Sequence, residues 1–295
     1  MRNQRNKTII IHSKVAYGYV GSNMTSLVLQ LAGQDVVSIP TIILSNRYGL
    51  PTVGGGIIPS GTFKDILEGI LKLNILDEVS SVVTGYIGSA ELIEATAEFI
   101  RKIRNTHPEI IYLCDPVMGD VSSGLYVNDD VPSAIVEHLL PLADFLTPNQ
   151  FEMQTIIGKR IVSYKGAIEC IQKEDKFKNK GLIITGCRFE NTQTNTLNIL
   201  LAENANYMLL DVEYVPIDPP GTGELFAAHV HRLMLKKGFS LTDAARESSL
   251  IVKRVLQRLR FDGGKEFELT DVLFSMKKNV PNGGNPNGSP YKSLR

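Results

Sequence analysis

Cysteine is scarce in this chain, with three among 295 residues. Cys114, Cys170 and Cys187 are odd in number, widely spaced and set in apolar or amphipathic segments. That pattern excludes a disulfide framework and gives no zinc-ligand spacing. The thiols read as small buried or half-buried side chains of a reducing, cytoplasmic protein. Charge of one sign is also missing: 31 basic and 31 acidic residues cancel to a formal net charge of zero. No long basic tract stands out, so neither nucleic acid nor a membrane surface has an electrostatic footprint to meet. No apolar run approaches the roughly 20 residues needed to cross a bilayer, and residues 8–11 are too short for a signal sequence. His12, His107, His138, His229 and His231 show no H-x-x-x-H or H-E-x-x-H spacing, which argues against a histidine metal site. These absences leave a small molecule as the expected partner.

What the chain has is alternation. With 43% hydrophobic residues it suits a large α/β domain. Short β-branched runs at 8–11, 36–43, 81–84, 110–114, 145–147 and 182–185 read as buried parallel strands. Helical periodicity fills the intervals at 23–32, 62–71, 90–105, 131–140, 152–157, 164–174 and 224–236. Strands alternating with helices imply a parallel sheet covered on both faces. Two stretches break the rhythm. Residues 42–59, with the polar run 45–49 and Gly54-Gly55-Gly56, read as a mobile flap too rich in glycine to pack. Residues 198–201 and 207–215 read as a strand pair around a turn at 203–206. Residues 279–295 (NVPNGGNPNGSPYKSLR) have little to bury and read as a disordered tail.

The segments that carry chemistry sit where strands end and helices begin. Pro219-Pro220-Gly221-Thr222-Gly223-Glu224 stops a strand and opens a helix. Free N–H groups at such a start form an anion site, and an acid in the first turn could accept a proton from an attacking hydroxyl. An ordinary turn with a favourable first-turn acid explains the same residues. Asp115-Pro116-Val117-Met118-Gly119-Asp120 follows a strand, so both carboxylates fall at the sheet's carboxyl end, where α/β proteins bind ligands. They could hold magnesium beside phosphates, or Asp-Pro could simply start a turn. Thr147-Pro148-Asn149-Gln150-Phe151-Glu152 has the spacing of a capping box, Asn149 with Glu152. Thr185 ends another strand beside the expected crevice.

In order and spacing these segments resemble the pyridoxal kinases of the ribokinase-like superfamily, over residues from about 8 to 274. The matching pieces are S-x-V-x-Y-G-x-V-G from Ser13, P-T-x-x-L-S-N from Pro40 and T-G-Y-x-G from Thr84. They continue with D-P-V-x-G-D and S-G-x-Y-V between Asp115 and Val127, T-P-N-x-x-E from Thr147, and the G-T-G helix start at Gly221. The resemblance implies a three-layer α/β/α sandwich with a mostly parallel sheet, one kinase domain over 1–278, and a homodimer. It implies transfer of the ATP γ-phosphoryl group to the 5′-hydroxymethyl of pyridoxal, pyridoxine or pyridoxamine. Carried over by position, Ser13, Thr41 and Tyr86 would line the pyridine pocket together with Glu224. Asp115, Asp120, Tyr126 and Glu152 would organise Mg2+, with a monovalent cation (K+ or Na+) nearby. Asp115, Thr147, Asn149, Glu152, Thr185, Val212, Glu213, Tyr214, Val215 and Thr222 would meet ATP. Gly221, Thr222 and Gly223 would supply the anion hole, with Glu224 as base.

The sequence departs from the family pattern at four places. Glu224 stands where the family has Asp, His12 replaces the usual Gln before Ser13, Arg47-Tyr48-Gly49 replaces a flap His, and Pro220 replaces a basic residue. Two alternatives follow: a vitamer- or nucleotide-binding protein of low turnover on the same scaffold, and a hydroxymethylpyrimidine kinase.

Overall fold

The structure, a computed structural model, describes residues 5–236 and 238–277. Its organising pattern is the period of two along each strand, which sends neighbouring side chains into two different cores. In β4 (Val79–Thr84), Val82 packs into one core and Val83 into the other. Tyr112 and Cys114 of β5 (Ile111–Cys114) take the first core while Leu113 takes the second. Leu182 and Ile184 of β9 (Gly181–Cys187) likewise oppose Ile183. Strands buried on both faces read as continuous apolar runs, which is why they are legible as parallel strands.

Among the described residues the main sheet has nine strands, and β6 (Gly119–Asp120) and β7 (Gly124–Leu125) pair as a separate ribbon. β9, β8 (Phe145–Leu146), β5, β4, β1 (Lys7–Val15) and β2 (Asp35–Leu44) lie side by side in that order, and each adjacent pair is parallel. One edge is extended by the antiparallel hairpin β10 (Thr196–Glu203) and β11 (Asn206–Glu213), the other by β3 (Gly55–Ile57). The chain places β2 on one side of β1 and β4 on the other, so strand order reverses there. This reversal opens a crevice at the carboxyl ends of β1 and β4.

Helices cover both faces. The first core takes α2 (Ser60–Lys72), α3 (Ala90–Thr106), α4 (Asp130–Ala134, continuing as a π turn through Leu139), α5 (Gln150–Ile157) and α6 (Tyr164–Lys173). The second takes α1 (Ser22–Leu31), α7 (Thr222–Met234), α8 (Leu241–Phe261) and α9 (Leu269–Ser275). Among the described residues no helix is long and apolar enough to cross a membrane. Cys114 and Cys187 are buried and Cys170 half-buried, all as free thiols. Burial raises the Cys114 thiol pKa to about 11 and that of Cys187 to about 12, so neither is a reactive thiolate.

Two expectations change. The glycine-rich stretch 42–59 is not without structure: residues 42–44 and 55–57 pair as an antiparallel hairpin on the sheet edge. Glycine is what permits the pairing, since Gly55 has φ +109° and a Cβ there would lie 2.1 Å from the Ile43 carbonyl oxygen. Residues 241–261, to which the sequence reading assigns no helix, form α8, which backs α7. The signal is present: Leu241, Ala244, Ala245, Ser248, Val252, Val255 and Leu259 are buried along one face. Residues 279–295, expected as a disordered tail, lie outside the described residues.

Ser240 starts α8, accepting from the Asp243 N–H at 3.1 Å through its hydroxyl oxygen. Ser240→Ala removes that cap and should lower stability by about 1 kcal/mol. Urea denaturation measures it; an unchanged midpoint would show that packing against α7 alone holds the helix.

Candidate active site

The crevice is built from strand ends whose loops approach unusually closely. β1 runs past residue 11 through Val15, with an irregularity between His12 and Lys14 opposite Pro40, which has no N–H to pair. Ser13 falls in that irregularity. Beyond it, Gly21 caps α1, and a Cβ on Gly21 would lie 2.3 Å from Ser13 Oγ. Gly221 caps α7 at φ +97°, and a Cβ there would lie 2.5 Å from the Tyr19 carbonyl oxygen. Glycine at both places lets the α1 and α7 N-termini converge on one spot, each with N–H groups directed into it. Glu224, in the first turn of α7, bridges them: its Oε1 accepts from the Gly21 N–H at 3.0 Å.

On one side lie the residues expected for a substrate pocket. Thr41 is buried and its hydroxyl donates to the Tyr86 carbonyl at 2.7 Å, leaving oxygen lone pairs to accept from a ligand. Tyr86 is half-buried, and burial followed by the neighbouring Tyr48 phenol raises its pKa, so the phenol is neutral. His12 lies beneath them, buried against Gly85.

Across the crevice is a bank of carboxylates. Asp115 directly follows β5 and accepts from the Thr147 hydroxyl at 2.9 Å. Burial, then the Glu224 charge, raises its carboxyl pKa to about 7. Glu152 is buried as well. Its Oε2 accepts from the Asn149 N–H at 2.8 Å and its Oε1 from the Met118 N–H at 3.1 Å. Burial and then Asp115 nevertheless push its pKa well above the usual carboxylate range. Asp120 behaves differently: Ser122 and Ser123 donate to its Oδ1, and those bonds carry its pKa down despite partial burial. Tyr126 is 41% exposed, and its phenol pKa is raised by desolvation and then by the charges of Glu152, Glu224, Asp120 and Asp115.

Thr147, Asn149 and Thr185 meet between β8 and β9. The Thr185 N–H donates to the Pro148 carbonyl at 2.9 Å, and Asn149 bridges to Thr185. The capping box expected at Asn149 and Glu152 is formed, and Asn149 Nδ2 donates to the Gly119 carbonyl at 2.8 Å. The Asn149 amide is thus committed to the protein at both ends. Val212, Glu213, Tyr214 and Val215 reach the same rim, because β11 runs parallel to β9 two strands away. There the Arg188 guanidinium lies 4.6 Å from the centre of the Tyr214 ring, and Glu213 accepts from Lys253 Nζ at 3.0 Å.

The expected residues therefore divide into three groups at one sheet end. Ser13, Thr41 and Tyr86 form one; Asp115, Asp120, Tyr126 and Glu152 the second; Thr147, Thr185 and the strand end 212–215 the third. Gly221, Thr222, Gly223 and Glu224 lie at the α7 start, with the Thr222 hydroxyl donating to the Pro219 carbonyl at 2.7 Å. Sequence reasoning misses Asp218, an exposed acid of the same loop, whose pKa is raised by local desolvation and then by Asp120. An acid in a Pro-rich loop gives no pattern to find it by. It also misses the Gly21 contact to Glu224, which spans most of the chain. Flap residue Arg47 pairs with Glu266 at 2.8 Å.

Comparison with known proteins gives one answer. The sequence profile of the phosphomethylpyrimidine kinase family matches residues 60–270. The pyridoxine/pyridoxal/pyridoxamine kinase of Bordetella avium is 30% identical over 258 residues, covering 88% of this chain and 87% of the relative. Pyridoxal kinase PdxY of Deinococcus radiodurans is 30% identical over 234 residues, covering 77% and 78%. Pyridoxal kinase of Leishmania donovani in complex with ADP and pyridoxamine superposes with a TM-score of 0.79 at 27% identity, covering 90% of this chain and 91% of that one. The enzyme from Entamoeba histolytica shares the fold at 22% identity and TM-score 0.84, covering 92% and 96%. Fold and rim together define a ribokinase-like α/β protein built to bind small molecules at the carboxyl end of its sheet. Within that class, the chain belongs to the pyridoxal kinase family.

The carboxylate bank carries a stability cost that can be measured. Asp115 holds its proton up to about pH 7 in the folded protein, against about 3.8 for an ordinary aspartate. The folded form therefore binds more protons than the unfolded form between those values, and stability falls as pH rises through that window. Asp115→Asn keeps an acceptor for Thr147 and removes the charge. The ligand-free variant should exceed wild type by roughly 4 kcal/mol at pH 8, with little difference near pH 4. Urea denaturation at both pH values tests it; equal stability at pH 8 would mean that the charge is well solvated.

Proposed function

We propose that the protein is an ATP-dependent kinase that phosphorylates the 5′-hydroxymethyl group of pyridoxal, pyridoxine or pyridoxamine. The observation that carries this reading is the convergence of two helix N-termini and the Glu224 carboxylate beside a bank of buried acids, in a chain of the pyridoxal kinase family. Phosphoryl transfer asks little covalent chemistry of a protein; it asks for alignment, neutralised charge and a base that orients the nucleophile.

In this reading residues 1–278 act as one kinase domain, and the protein works as a homodimer in a reducing cytoplasm. Ser13, Thr41 and Tyr86 hold the pyridine ring. Glu224 Oε1 is fixed by the Gly21 N–H, so the other oxygen is the one free to accept the hydroxymethyl proton. The N–H groups of Gly221, Thr222 and Gly223 receive the charge of the moving phosphoryl group. Thr147, Asn149, Thr185, Val212, Glu213, Tyr214, Val215 and Thr222 border the nucleotide. The acids fit a divalent cation. Asp115 and Glu152 are buried and their carboxyl pKa values are raised by burial and then by a neighbouring carboxylate, so arriving positive charge would favour their ionised forms. Among the described residues no three His, Cys, Asp or Glu side chains are gathered to hold a metal ion by themselves. Asp115, Asp120, Tyr126 and Glu152 would hold Mg2+, with K+ or Na+ nearby. The metal would neutralise charge on the phosphate oxygens.

Glu224 replaces the family Asp, and its additional methylene is what the Gly21 N–H accommodates. One test uses the purified protein with ATP, magnesium and potassium and the three vitamers in parallel. Steady formation of a 5′-phosphorylated vitamer above about 0.01 per second is expected, slow beside typical turnover numbers. Glu224→Gln should reduce it by about 10²-fold or more while pyridoxal still binds. Binding of pyridoxal with no product from the wild-type protein would instead support a binding protein. Because the matching family profile is that of phosphomethylpyrimidine kinases, hydroxymethylpyrimidine belongs in the same assay. If it were phosphorylated faster than pyridoxal, the vitamer assignment would be wrong.

A further inference from the structure

His12 is a buried titratable residue at the crevice to which the reading above gives no task. It is 1% exposed, and its ring lies against Gly85, where a Cβ would come within 2.0 Å of Nε2. Its Nδ1 lies 2.8 Å from the Ser13 backbone nitrogen and 3.2 Å from that of Tyr86. Both backbone groups are N–H donors, so Nδ1 must carry the lone pair and the hydrogen sits on Nε2. Burial depresses the imidazolium pKa to about 4, which keeps the ring neutral with that acceptor free. Ser13 Oγ is 3.2 Å from the same nitrogen. Nδ1 has a single lone pair, which the two N–H groups already share, so the Ser13 hydroxyl is left able to bond elsewhere.

The opposite edge of the ring is unsatisfied. Nε2 is buried and has no hydrogen-bond partner. A core histidine chosen for packing alone would be expected to satisfy both nitrogens. This one tolerates an orphaned N–H on one side while its other side ties together two loops that are far apart in the chain. Those loops carry Ser13 and Tyr86, and Tyr86 in turn receives the Thr41 hydroxyl on its carbonyl oxygen. One imidazole therefore links three of the residues that face the ligand.

The geometry points to His12 as a positioning residue for the vitamer pocket, its Nδ1 fixing the spacing of the Ser13 and Tyr86 loops without touching substrate. This role rests on the vitamer-binding reading of that pocket. It predicts a loss confined to one ligand. In Asn, the side-chain Oδ1 occupies the place that Nδ1 has in His, so His12→Asn keeps the acceptor; His12→Leu fills similar space and leaves both N–H groups buried without a partner.

The experiment measures equilibrium binding of pyridoxal and of ATP to wild type, His12→Leu and His12→Asn, so that turnover is not needed. His12→Leu should weaken pyridoxal binding about 10-fold or more. Its ATP binding should stay within about twofold, and His12→Asn should restore pyridoxal binding to within about threefold of wild type. Equal losses for both ligands, no loss, or an Asn variant as weak as Leu would overturn the positioning role. If His12→Leu does not fold, 15N spectra of histidine-labelled wild type decide: Nδ1 unprotonated and Nε2–H retained from pH 8 to 5 are expected. The opposite tautomer, or titration near the ordinary histidine value, overturns the proposal. A wild-type protein that binds pyridoxal but never phosphorylates it overturns the kinase reading and leaves the positioning role to be judged by these same results. Failure of the wild type to bind any vitamer overturns both.

Discussion

Acidic side chains are crowded at the carboxyl end of the sheet, Asp115 and Glu152 buried among them, and the rest of the site is arranged around that crowding. Asp115 and Glu152 are buried, and the charges nearest them are other carboxylates. In a low-dielectric surrounding each raises the cost of ionising the other. Backbone N–H groups from Met118 and Asn149 offset part of the cost at Glu152, and the Thr147 hydroxyl does so at Asp115. Such an arrangement is unfavourable in isolation and becomes favourable when positive charge enters. A folded protein that carries it has traded stability at that end for affinity there, as binding sites commonly do.

The same end supplies the complementary sign. Helices α1 and α7 both begin at the crevice, and their free N–H groups place partial positive charge opposite the acids. The two signs need separate partners: a cation for the carboxylates, an anion for the helix starts. A metal-bound phosphate ester carries both together. The convergence depends on close backbone approach, and that explains why glycine is required at 21 and 221 rather than merely permitted.

Much of this is legible in the sequence because it is local. The capping box of Asn149 and Glu152 follows from residue types three apart, and the fold forms it. Strands with continuous apolar runs identify themselves, as does the Pro-Gly interruption before α7. What is not legible depends on contacts distant in the chain. The hairpin formed by 42–44 and 55–57 hides in a glycine-rich stretch because its stability comes from pairing onto the sheet edge, not from propensity. α8 escapes notice although its cap and periodicity are visible, since its charged outer face lowers the average hydropathy of the window. His12 looks like one more histidine without a metal spacing. Only the fold brings the Tyr86 N–H to its ring.

The length of the Glu224 side chain takes on a meaning once the first loop is in place. A carboxylate one methylene longer is less constrained by its own backbone and loses more rotamer freedom when held. In this protein the Gly21 N–H anchors one of its oxygens, and Gly21 is itself pressed against Ser13. The side chain is therefore fixed at both ends, by α7 and by the loop that borders the substrate pocket. A shorter acid would take its position from its own Cα; Glu224 takes it from a second element, so the placement of its carboxylate is tied to the integrity of the first loop. Any change that shifts Ser13, including one at the ring of His12, then reaches the carboxylate through Gly21 as well as the pocket through Tyr86.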